Sequence, residues 1–135
     1  MNARIWLVGT ATMLALAGCT QERPAERPTV APAAKIVGEP RNCVGVRAFS
    51  ETRIRDDWTI DFIGGAGNRV WRNTLPHRCI GLRGDNAFSY ETSLSQLCNT
   101  DVIHVLYRSG GELQRGAGCG LSMFVPVELE KKKKQ

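Results

Sequence analysis

The chain has 135 residues, 42% of them hydrophobic, and a formal net charge of +5, which suits one small folded unit. Arg4 and the terminal lysines Lys131 to Lys134 carry the whole charge excess, leaving 13 basic residues against 13 acidic ones. That balance argues against the one-sided basic face that nucleic-acid binding requires, so no nucleic-acid partner is expected.

Arg4 and the amino terminus form a positive start, Ile5 to Leu14 an apolar run, and small residues lead into Leu16-Ala17-Gly18-Cys19. This is the layout of a secretory signal, and the apolar stretch falls short of the roughly 20 residues a transmembrane helix needs. Leu16 to Cys19 resembles the lipobox of bacterial lipoproteins. The resemblance implies a signal peptide over 1–18 and a diacylglyceryl group on Cys19, with an amide-linked chain such as palmitate. A buried methylene contributes about 0.8 kcal/mol, so two or three chains make attachment to the membrane permanent. Thr20 stands where an Asp would signal inner-membrane retention. In a Gram-negative host the expected location is therefore the periplasmic face of the outer membrane.

Residues 19–40 then read as a lipidated Pro/Ala-rich tether. Pro24, Pro28, Pro32 and Pro40 interrupt a stretch with few large apolar residues, a composition that stays extended and unpacked. Residues 41–127 form the expected domain, and 128–135 a charged tail.

Within the domain the patterns are those of strands. Val44 to Phe49 opens it. Trp58, Ile60 and Phe62 alternate with polar residues, Gly64 to Asn68 make a turn, and Arg69 to Leu75 returns with Trp71 and Leu75 on one side. Ala87 to Thr92 and Val102 to Tyr107 are further strands, the latter apolar on both faces. Ser93 to Leu97 predicts a helical turn. Gly110-Gly111 reverses the chain, and Gly120 to Val125 is a last strand ended by Pro126, which lacks an N–H for a ladder. The fold class is all-β: a small antiparallel barrel or sandwich of five to six strands.

Setting Cys19 aside leaves Cys43, Cys79, Cys98 and Cys119. Four cysteines in a small exported domain read as two disulfides, because the compartment is oxidising and a small core needs crosslinks. No Cys-x-x-Cys pair offers metal ligands or a redox thiol, so neither metal nor cofactor is expected. Loop-closure entropy separates nested from sequential pairing by only about 0.6 kcal/mol, too little to decide. A closed sheet that sets first and last strands side by side favours the nested pairs Cys43–Cys119 and Cys79–Cys98.

The early Cys43, the turn Asp56-Asp57-Trp58, the strand Arg69-Val70-Trp71-Arg72, the segment Cys79-Ile80-Gly81-Leu82, and Cys98 and Cys119 ahead of later strands form a set. From Cys43 to Val127 this set resembles a family of short exported bacterial proteins of unknown function with four cysteines, often lipoproteins. The resemblance implies a shared exported fold and carries no catalytic residues.

Other chemistry is sparse. His77 sits in a turn and His104 mid-strand, without a Gly-x-Ser-x-Gly elbow or other nucleophile motif, so no enzyme is expected. Asp56-Asp57 lacks a calcium-loop pattern and reads as a turn. Gly64 to Gly67 lacks the Lys-Ser/Thr of a phosphate loop. Arg69, Arg72, Arg78 and Arg83, interleaved with Trp71, are the residue types that most often anchor binding surfaces. They mark a candidate surface for an envelope protein or an anionic ligand; the competing reading pairs them with Asp61, Asp85 and Glu91 across strands.

Overall fold

The computed structural model describes residues 30–65, 69–92 and 94–130; the expected signal peptide, Cys19 and the lysine run lie outside them. The described residues form ten strands and no α-helix: β1 (Ala34–Ile36), β2 (Cys43–Gly45), β3 (Glu51–Ile54), β4 (Thr59–Ile63), β5 (Val70–Thr74), β6 (Phe88–Tyr90), β7 (Gln96–Cys98), β8 (Val102–Ser109), β9 (Glu112–Gly120) and β10 (Phe124–Leu129). All pairings are antiparallel. A five-stranded sheet runs β1-β10-β5-β4-β3, a second pairs β2 with β7, and a third runs β6-β8-β9. The all-β architecture stands as read from sequence, but the described strands number ten rather than five to six, many of them only three residues long, and the sheets stay open rather than closing into a barrel.

The β4–β5 hairpin sets the geometry. Phe62 pairs with Trp71 and Ile60 with Asn73, so these four share the inner face, because side chains alternate along a strand. Phe124 and Pro126 continue that face on β10 through their partners Asn73 and Trp71. The main core lies between this face and the two smaller sheets, which supply Val44, Leu97, Ile103 and Val105. Phe62 is its centre: the rings of Phe49, Phe124 and Phe88 meet it edge-on at 5.0, 5.3 and 6.4 Å. Such edge-to-face pairs add about 0.5–1.5 kcal/mol each beyond the area they bury. The opposite face is also covered: Ile63, Val70 and Val127 are buried there, with Ala34, Val125 and Leu129 against them.

The described fold includes residues ahead of Arg41, from Val30 on. β1 pairs with β10 (Ala34 with Leu129, Ile36 with Val127), and the Pro32 carbonyl accepts a bond from Arg72 Nη1 at 2.8 Å. The second half of the expected tether and the start of the expected tail therefore belong to the five-stranded sheet. Composition hid this because β1 is three residues long and edge-placed.

Further corrections follow from short or unusual strands. Gln96 to Cys98 is strand β7 rather than part of a helical turn; Ser93 is outside the described residues. β9 went unread because Gly116, Gly118 and Gly120 blur its period. Two of these glycines are closely packed: a Cβ on Gly116 would stand 3.2 Å from the Tyr107 ring, and one on Gly118 3.2 Å from the His104 ring. Pro126 lies inside β10 instead of ending a strand. Its carbonyl accepts from Val37 N at 3.0 Å, and β1 ends at Ile36, where no ladder bond from the proline is required.

The cysteines form Cys43–Cys98 and Cys79–Cys119, which corrects the nested pairing. The first and last strands do lie side by side, but β1 and β10 carry no cysteine. Cys43 and Cys98 are instead direct register partners on β2 and β7. Cys119, on β9, reaches the buried Cys79 of the loop after β5 and ties the third sheet to the main one.

Candidate functional site

The arginine–tryptophan set does not form one surface. Arg72 turns to the outer face, where Asp61, its cross-strand partner, is fully buried. Its Nε and Nη2 donate to Asp61 Oδ1 and Oδ2 at 2.8 and 3.0 Å, and Arg55 Nε adds a bond to Oδ2 at 2.7 Å. Arg78 donates twice to Asp57 Oδ2, at 3.1 and 2.9 Å, while the backbone of Arg83 donates to Asp57 Oδ1. Arg72 and Arg78 are thus structural, as the ion-pair reading expects for Arg72 with Asp61. Asp85 accepts from the Arg108 backbone and Glu91 pairs with Arg115, so neither holds a residue of the set.

Asp56 and Asp57 behave as turn residues. Asp56 Oδ1 accepts from Trp58 N at 2.8 Å, and its Oδ2 from Val30 N at 3.0 Å. The adjacent carboxylates serve different partners. His77 is exposed in its turn. His104 faces Ser89 and Gly118 in the β6-β8-β9 register; the Ser89 Oγ is buried without a hydrogen-bond partner, so no Ser–His bond forms. Among the described residues no three His, Cys, Asp or Glu side chains converge as metal ligands.

Arg69 and Trp71 do lie together. Being two apart on an extended chain they share a face, and the Arg69 guanidinium carbon sits 5.9 Å from the Trp71 ring centroid. They line a groove of about 960 Å³, together with Glu39, Arg41, Gly65 and Pro126. Backbone bonds build its walls. Val37 N is fixed to Pro126 O, and Arg41 and Phe124 exchange two bonds of 2.9 Å, so residues 38–40 arch outward between two anchors. Gly64 N, also in the lining, donates to Arg69 O at 2.7 Å. Glu39 and Arg41 were not readable as site residues, since they reach the groove through the bonds of Val37 to Pro126 and of Arg41 to Phe124, far along the chain. The spacing Arg69-x-Trp71 was the one local signal.

No protein-family model, no curated protein and no solved structure matches this chain. The site therefore stands on its own geometry and chemistry.

Proposed function

We propose that this chain is a lipid-anchored protein of the bacterial envelope, acylated at Cys19 and held at the periplasmic face of the outer membrane. Its β-domain serves a binding or scaffolding role toward an envelope partner. The observation that carries the reading is the pairing of all four domain cysteines in two disulfides, chemistry that persists in oxidising compartments outside the cytosol. Geometry is compatible with anchoring. Val30, where the described fold begins, lies eleven residues past Cys19, and so within roughly 40 Å of an acylated sulfur even when fully extended. A domain on so short a lead works near the membrane surface.

The test is metabolic labelling with an alkyne fatty acid, followed by membrane fractionation and in-cell crosslinking of the native chain beside Cys19→Ala. The native chain should take the label, sediment with membranes and crosslink reproducibly to an envelope component. The variant should lose label and membrane attachment. An unlabelled native chain overturns the anchoring, and a labelled chain that crosslinks to nothing overturns the binding role.

A further inference from the structure

The described residues include ten arginines. Arg53, Arg55, Arg72, Arg78 and Arg115 are held in ion pairs. The other five, Arg41, Arg47, Arg69, Arg83 and Arg108, are not, and of these Arg41 and Arg69 line the groove beside Trp71. Glu39 is the single acidic residue among the groove's lining, which leaves the lining one positive charge in excess. A guanidinium lying over an aromatic ring is attracted to the ring's face while its N–H edge stays available. It is then oriented before any ligand arrives, which lowers the cost of binding. Arg41 is fixed at its backbone by two bonds to Phe124, so both cations stand on anchored chain.

We infer that this groove is an oxyanion-binding site, in which Arg41 and Arg69 hold a carboxylate or phosphate group of a small organic anion. Guanidinium forks match the geometry of both groups and make charge-assisted bonds to them. The volume is in the range of small-molecule sites, so the anion is expected to be one part of a larger ligand. The apolar surface of Val37 and Pro126 receives the remainder. The inference deepens the binding reading above but does not depend on lipid attachment.

Gly65 makes the site testable without disturbing the fold. A Cβ built there meets nothing within 4 Å, so Gly65→Glu adds a negative charge at a groove-lining position with open space for its Cβ. The experiment is a ¹H–¹⁵N NMR titration of the full chain in non-ionic detergent at low ionic strength, with citrate and inorganic phosphate as separate probes. Saturable shifts should appear at the Trp71 indole and at the Arg41 and Arg69 Nε groups, in one or both arms. The arm that saturates at lower concentration names the preferred group. Arg41→Gln and Arg69→Gln should each weaken binding about tenfold or more, the loss of one charge-assisted bond, and Gly65→Glu should abolish it. Arg108→Gln, removing an exposed guanidinium elsewhere, should change nothing. Shifts that fail to saturate with either probe, or that survive both groove substitutions, overturn the inference. Crosslinking of the native chain reads separately: a captured partner with no anion binding leaves the binding role standing and removes only this site.

Discussion

Arg72 and Asp61 face each other across β4 and β5 and lock through two parallel bonds of 2.8 and 3.0 Å, with Asp61 fully buried. Arg55 completes the arrangement from β3's end at 2.7 Å, and Arg72 reaches on to the Pro32 carbonyl. The ion pair is therefore also the clasp that holds the incoming chain against the outer face of the main sheet.

Removing the carboxylate should be costly, because two largely buried guanidiniums would lose their counter-charge. Asp61→Asn is expected to destabilise the domain by about 3 kcal/mol or more, measured as a fall in the urea midpoint. Arg72→Met leaves Asp61 with Arg55 and should cost less, while exposing the 30–33 segment to proteolysis. Equal costs for the two variants would show that Arg55 does not share the charge.

Asn73 is a second buried polar anchor. Its Nδ2 donates to Ser122 O at 2.6 Å, and its Oδ1 accepts from Ser122 N at 3.0 Å, holding the β9–β10 connection against β5. Asn73→Leu leaves two backbone groups without partners, and an unsatisfied buried group costs about 1–3 kcal/mol. Urea unfolding should register a loss of about 3 kcal/mol; a change under 1 kcal/mol would mean that water replaces the side chain.

The two disulfides should be separable in effect. Replacing either pair by alanine is expected to cost about 2–5 kcal/mol. Cys79→Ala with Cys119→Ala removes the link between the third sheet and the loop after β5, with Cys79 fully buried. Amide hydrogen exchange should then rise in β8 and β9 before the main sheet. Exchange that rises uniformly would contradict the sheet-specific role.

Two exposed carboxylates give a defined pH response. Glu91 titrates below the ordinary carboxylate value because Arg115 donates to it, and Glu51 because Arg53 does. A folded pKa below the unfolded one means each ionised group favours the fold above its unfolded pKa. That contribution disappears as pH falls through the folded value. Carboxyl ¹³C NMR should find both midpoints below those of matching peptides, moving back toward them in 0.5 M salt, since exposed pairs are screened. Midpoints unmoved by salt would contradict a surface ion-pair origin.

The sequence was legible where strands were long and alternating. Trp58 to Phe62 and Arg69 to Leu75 announced the hairpin and its faces. It was opaque where information is non-local. Asp61 sits in an alternating pattern that reads as solvent-facing, yet Arg55 and Arg72 close over it, and Arg72 is itself tied to Pro32 from far along the chain. Arg41 likewise joins the groove that Arg69 lines only through its long-range bridge to Phe124. Cysteine spacing is silent on partners, because Cys43–Cys98 follows from the β2–β7 register and three-residue strands carry too few residues to show a period.

The most direct measurement is non-reducing peptide mass analysis of the protein isolated from membranes of its native host. The expected result is an acylated Cys19 at the amino terminus and two linked peptide pairs, Cys43 with Cys98 and Cys79 with Cys119. An unmodified Cys19 together with free thiols at the other four positions would contradict it.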